Sequence, residues 1–262
     1  MPTTWKRALV TGASTGIGEA FARRLAAEGT ALVLVARDQQ RLHALADELT
    51  AAHGVEVEVL AADLIAPDGA ARVAERVMDQ PAIDLLVNNA GMGSRGTFVE
   101  LPLEGELRQI ALNVTALMRL THAALRAMSP RKAGTIINVS SLSGLHPGVA
   151  NATYGATKAF VNSFTDALHE EARGTGVTLT LVMPGFVRTE FMERTRNAEG
   201  FPDPPRFTWL TGDQVAEAAL ADARPGRAQS VAGRGYRLAA LLLNSLPRGV
   251  NRRASALGAK QA

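Results

Sequence analysis

RALVTGASTGIG, residues 7–18, decides how this chain folds. Its first half is an apolar, β-prone run of the kind a buried strand requires. Its second half places glycines at 12, 16 and 18 and leads into the helical pattern of Ile17–Glu28. In such a strand–turn–helix junction Gly12 permits a tight turn, Gly16 a close backbone approach, and Gly18 close packing of helix on strand. The turn then aims free N–H groups and the positive end of a helix outward, where a pyrophosphate can sit. A glycine-rich turn that holds no ligand is the plainer alternative.

Outward from that junction, apolar runs and helical patterns alternate. ALVLVA (31–36), VEVEVLAA (55–62), IDLLVNNAG (83–91), GTIINVSS (134–141) and VTLTLVMPG (177–185) read as strands. Helical windows lie between them at Gln40–Ala52, Asp68–Met78, Glu104–Met128 and Tyr154–Arg173. Continuously apolar strands separated by helices imply a parallel sheet covered on both faces, with right-handed crossovers. The expectation is a single-domain, doubly wound (Rossmann) α/β fold over residues 1–233. Within it, 190–210 is rich in Pro, Gly and aromatics, lacks periodicity, and reads as a substrate loop. Residues 234–262 read as a basic helical C-terminal extension.

The 262 residues carry a net charge of +3, but the sign is unevenly spread. Every acid lies at or before Asp222, and the eight Lys or Arg after it have no acidic counterpart. The first 222 residues hold 20 basic and 25 acidic side chains, a net of −5. A broad basic face with groove-reading elements is missing, which argues against nucleic acid. Cysteine is absent, so disulfides and thiolate chemistry are excluded. His43, His53, His122, His146 and His169 are scattered without metal-ligand spacing, so no metal is expected. No long apolar run precedes the first charges, which reads as no signal peptide and a cytoplasmic location.

TGASTGIG (Thr11–Gly18), NNAG (Asn88–Gly91) and YGATK (Tyr154–Lys158), in that order, resemble the short-chain dehydrogenase/reductase superfamily over roughly residues 6 to 190. The glycine spacing, GxxxGxG rather than GxGxxG, is part of the likeness. The resemblance implies a nicotinamide cofactor held by Gly12, Ser14, Thr15, Gly16, Ile17 and Gly18, by Asp63 and Leu64 near the adenine, and by Asn89, Ala90 and Gly91 beside a ribose. Asp63 reads equally as a loop or cap residue, and Asn88 and Asn89 as ties between neighbouring turns. Pro184, Gly185, Val187 and Thr189 match the segment that closes over the nicotinamide. At the end of the second strand the chain reads LVLVARD: Ala36 stands where NAD-preferring members carry an acid, and Arg37 follows. A guanidinium suits the 2′-phosphate of NADP, so NADP(H) is favoured over NAD(H), with Ser14 a second donor. Asp38 reads as the N-cap of the next helix.

Tyr154 and Lys158 are four apart and share one face of a helix. An ammonium near a phenol lowers its pKa toward the working range, and such a phenol can exchange a proton with a carbonyl oxygen. Alone, the pair also fits a solvated helix face. By the family register, Ser141 would donate to the substrate oxygen, although Ser140 and Ser143 are close by. Asn113, unfavourable in mid-helix by propensity, matches the residue that holds a relay water. The implied reaction is reversible reduction of a ketone or aldehyde by Asn113, Ser141, Tyr154 and Lys158.

Met92, Leu142, Leu145, Phe186, Phe191 and Met192, with Phe201, Phe207 and Trp209 from the loop, suggest an apolar small-molecule substrate. The tail RGYRLAALLLNSLPRGVNRRASALG spaces Leu238, Leu241, Leu242 and Leu246 helically but is too short to span a bilayer. It reads as a helix covering the body, as a contact in a homodimer, or as a peripheral membrane helix. A cofactor-binding regulatory protein without catalysis is the alternative to an enzyme.

Overall fold

The computed structural model describes residues 5–195 and 205–245. Among them seven strands form one parallel sheet: β1 (Arg7–Thr11), β2 (Ala31–Ala36), β3 (Val57–Ala61), β4 (Leu85–Asn88), β5 (Gly134–Val139), β6 (Val177–Val182) and β7 (Gln229–Ser230). Their order is β3-β2-β1-β4-β5-β6-β7. The helices are α1 (Gly16–Ala27), α2 (Gln39–His53), α3 (Pro67–Met78), α4 (Leu103–Ile110), α5 (Leu117–Met128), α6 (Ala152–Glu171), α7 (Glu190–Thr195), α8 (Gly212–Ala223) and α9 (Arg234–Ser245).

The two-residue alternation of β1 divides the core. Ala8 and Val10 join Phe21 and Leu25 of α1, Leu42 of α2, and Val215 and Leu220 of α8 on one side of the sheet. Leu9 joins Val73 of α3 and Leu120 and Ala124 of α5 on the other. Both faces of the strand are therefore covered, which is why the strands read as apolar throughout. Each fully buried Leu or Phe contributes about 1.5–3 kcal/mol relative to exposure.

Strand order reverses at β1. The chain runs outward through β2 and β3, then returns to pair Leu9 with Leu86 and Val10 with Val87 of β4. The carboxyl ends of β1 and β4 thus flank the switch point, the place where open α/β sheets bind ligands.

Several elements exceed the sequence expectation. The window Glu104–Met128 is not one α-helix: a π-helical turn, Ala111–Ala116, separates α4 from α5. α8 is stopped at its start by a capping box, in which Thr211 accepts from Gln214 N–H and Gln214 returns the bond. Its alanine-rich sequence offers little contrast between faces, so periodicity hides it. β7 pairs with Leu181 and Val182 through two residues only, too short to leave a pattern. Of the expected loop 190–210, α7 and a 3-10 turn at Arg206–Thr208 are seen; Phe201 lies outside the described residues. Tyr236 and Ala240 of α9 pack with Leu117, Leu142, Val161, Leu181 and Met183. Leu246 and the rest of the basic tail also lie outside the described residues.

Candidate active site

The glycine turn is built by its neighbours. Gly12 and Gly16 sit at φ +66 and +63, where a side chain is strained. A Cβ on Gly18 would stand 2.2 Å from the Gly12 carbonyl oxygen and 2.5 Å from Asn89 Nδ2, so only glycine fits there. Asn89 Nδ2 donates to Thr11 O at 2.9 Å, and the backbone N–H groups of Asn89 and Ala90 both donate to Thr11 Oγ1 at 3.0 Å. Asn89 is thus a tie between turns. Asn88 turns the other way and donates to Thr121 Oγ1 and Asn138 Oδ1 in the core.

Thr15 stands at the N-cap of α1 in extended conformation and makes no capping side-chain bond. The first-turn N–H groups of α1 therefore have no side-chain cap from their own N-terminus. Ile17 packs against the core, whereas Ser14 is partly open. Ala13 N–H donates to Val35 O at 3.2 Å, which sets the turn beside the end of β2. Arg37, two residues on, is exposed and forms no ion pair among the described residues. Asp38 caps α2, accepting from Arg41 N–H at 3.0 Å. Arg41 Nη1 also meets Glu190 Oε1 of α7 at 2.7 Å, joining α2 to α7. Asp63 Oδ1 accepts from Ile65 N–H at 3.0 Å, a loop-fixing contact, and Leu64 is buried in the core, so its side chain faces away from solvent.

At the ends of β4, β5 and β6 the remaining expected residues gather. Ser140 and Ser141 diverge because successive strand side chains point to opposite faces. Ser140 Oγ, buried, lies 3.0 Å from Lys158 O and 2.5 Å from Asn162 Oδ1, with its single proton shared between these two acceptors. Ser141 heads the 3-10 turn Leu142–Gly144, accepts from Ser143 N–H at 3.1 Å, and stands near enough to the Tyr154 phenol to pull its pKa down. The sequence left these serines ambiguous; the strand pleat separates them.

Lys158 is buried on α6, and its Nζ donates to Val139 O at 3.0 Å. That nitrogen lies 5.7 Å from the centroid of the Tyr154 ring and 3.6 Å from where a Cβ on Gly91 would stand. Burial pulls its pKa down to about 8. Tyr154 keeps some surface open to the cleft, yet its phenol is enclosed. Burial pushes it up to about 12, and the nearby Ser141 only partly opposes this. The expectation of a phenol drawn down by the lysine is therefore corrected: the phenol is raised. The ammonium is directed at a backbone carbonyl rather than at the phenol oxygen, and desolvation dominates.

Asn113 lies in the π-helical turn, a distortion often found at functional sites. Its Nδ2 donates to Met92 O at 2.8 Å and Thr157 Oγ1 at 3.1 Å, and its Oδ1 accepts from Met92 N–H at 2.9 Å. The side chain fixes the backbone after NNAG and ties it to α6.

Phe191 of α7 packs on Tyr154 with ring centroids 5.7 Å apart. Thr189 leans on the glycine turn, its Cγ2 2.9 Å from a Cβ built on Gly16. Pro184 O accepts from Leu142 N–H at 3.1 Å, while Val187 is buried and bridges to Leu210. Tyr236, the chain's only other tyrosine, was not singled out from sequence. Its ring covers Gly185, where a Cβ would stand 2.2 Å from Cζ. Its hydroxyl accepts from Phe186 N–H at 3.1 Å and donates to Thr208 O at 2.7 Å. Phe186 and Thr208 are thereby both fastened to α9. Its helical spacing to Ala240 marks the inner face of α9, a signal the leucines of that segment obscure.

The side-chain-uncapped start of α1, the positive-φ glycines and the buried Lys158 ammonium close to Gly91 fit a dinucleotide at the carboxyl ends of the strands. Comparison with known proteins agrees. A family model described as short chain dehydrogenase matches residues 6–200. An uncharacterized oxidoreductase of Myxococcus xanthus is 39% identical over 214 residues, 81% of each chain. A short-chain dehydrogenase from Sphingobium yanoikuyae, solved in complex with NADPH, is 36% identical with a TM-score of 0.82, covering 92% of this chain and 96% of that one. The bulky-bulky ketone specific alcohol dehydrogenase from Comamonas testosteroni is 31% identical with a TM-score of 0.79, covering 94% and 96%.

Proposed function

This chain belongs to the short-chain dehydrogenase/reductase family and is an NAD(P)-dependent oxidoreductase acting on CH–OH groups; from that premise we propose that it uses NADPH to reduce an apolar ketone or aldehyde, with Tyr154 as proton donor. The observation that carries the reading is the enclosed phenol, beside Ser141 and one helical turn from a buried ammonium. A phenol held up to about 12 stays protonated through neutral pH, which is the form a reductase needs.

The N–H groups opening α1 would hold the pyrophosphate, Arg37 and Ser14 the 2′-phosphate, and Thr189 and Pro184–Gly185 the nicotinamide end. When bound, the cofactor supplies the hydride. Ser141 donates a hydrogen bond to the substrate oxygen, fixing it beside Tyr154. Tyr154 passes its proton to that oxygen as charge develops there. Lys158 stabilises the phenolate left behind, and Asn113 keeps α6 and the Met92 backbone in register. Phe191, Leu142 and Leu145 give the pocket an apolar lining.

NADPH is favoured because the acid next to Arg37 is engaged: Asp38 caps α2 and pairs with Arg41, Nε to Oδ2 at 3.5 Å. Arg37→Ala is expected to raise the NADPH Kd by about 10–100-fold, the worth of a hydrogen bond to a charged group, and to leave NADH within about threefold. Equal losses for both cofactors, measured by fluorescence titration, would remove the phosphate contact.

The activity itself is tested by a panel of aryl, cyclic and medium-chain ketones and aldehydes, followed by loss of NADPH absorbance. Turnover is expected to favour the apolar members. NADPH binding without turnover of any carbonyl would favour a regulatory cofactor-binding protein instead.

A further inference from the structure

α9 has two faces. Tyr236 and Ala240 turn inward. The opposite face carries Leu238, Leu241 and Leu242, 60%, 67% and 56% exposed, with exposed Arg234 and Arg237 one turn earlier. Arg234 and Leu238 are four apart, as are Arg237 and Leu241 and also Leu238 and Leu242, so the five side chains form one stripe. Beside the start of the helix, Phe186 and Phe207 in the segments held by Tyr236 are also exposed.

We propose that this stripe docks on an anionic lipid bilayer, with α9 lying in the plane of the interface. Charge identifies the partner. Neither Arg234 nor Arg237 has a carboxylate partner among the described residues; Arg237 Nε donates only to Val231 O, at 2.8 Å. The sequence after Asp222 contains no acid to answer them. A second copy meeting this stripe across a twofold axis would bring an equally acid-free segment. Three leucines also fall well short of the roughly 800 Å² per partner that a stable interface needs. Anionic headgroups supply the missing countercharge, and the acyl boundary accepts the leucines. No described helix is long and apolar enough to cross a membrane, and twelve residues rise only about 18 Å. The helix therefore lies on the bilayer rather than through it.

The test is co-sedimentation of the full chain with vesicles of phosphatidylcholine alone or mixed with phosphatidylglycerol. Binding is expected with the mixed vesicles and about tenfold weaker without the anionic lipid. The double variant Leu241→Glu/Leu242→Glu is expected to lose the mixed-vesicle binding by about tenfold or more, with its melting temperature and reduction of a water-soluble carbonyl unchanged. Arg234→Glu/Arg237→Glu should lose it as well. No binding to mixed vesicles, or binding that survives the leucine replacements, would overturn the proposal. So would a wild-type dimer that the leucine replacements split into monomers, since the stripe would then be a subunit contact.

Discussion

Replacing Tyr154 by Phe is expected to lower kcat for carbonyl reduction by about 10³-fold, while NADPH affinity stays within about threefold. Phenylalanine keeps the ring that packs against Phe191 and leaves Ser141, Lys158 and the glycine turn in place. What it removes is the O–H beside Ser141. Ser141 alone can still polarise a carbonyl, but the positioned phenolic acid is gone. A loss of that size corresponds to about 4 kcal/mol of transition-state stabilisation, within the range of a positioned general acid. Steady-state kinetics with a cofactor titration separates the two effects. Turnover within about tenfold of wild type would assign the proton to another donor.

Replacing Lys158 by Met is expected to abolish most turnover and yet stabilise the cofactor-free protein at pH 7, by about 2–3 kcal/mol. The ammonium is buried without a carboxylate among the described residues; its contact is one backbone carbonyl. In the unfolded chain it holds its proton up to about 10.5, in the fold only up to about 8. Between those values the unfolded chain binds more protons, so this group makes the wild type more stable as pH rises. Below pH 8 both states are charged, and the full cost of burying the ammonium is present. The advantage of Lys158→Met is therefore largest at pH 7 and shrinks toward pH 10. Urea unfolding at several pH values checks this. A variant no more stable than wild type at pH 7 would mean the ammonium is better solvated than its surroundings indicate.

The parts of the site legible in the sequence are those where the backbone itself makes the demand. Gly18 has no room for a side chain, and the strand–turn–helix junction around it shows in the residues alone. The pairing of Tyr154 with Lys158 is legible because helical spacing places them on one face. Burial is not written in spacing, so the direction of the Tyr154 shift could not be read from neighbours; it follows from enclosure by Phe191 and the loop. The choice between Ser140 and Ser141 needed the strand pleat. Tyr236 meets Gly185 and Thr208 across segments distant in the chain, and such a contact leaves no local period. The π-helical turn at Asn113 is invisible for a related reason: one helical pattern fits Glu104–Met128 until Met92 claims the amide.

Tyr236 also bears on the order in which the molecule can become competent. During synthesis every strand from β1 to β6 leaves the ribosome before this residue does. A nascent polypeptide can therefore assemble most of its sheet while the segment over Gly185 has nothing to hold it. Competence to turn over substrate would then arrive only once α9 has been made, after the glycine turn has formed.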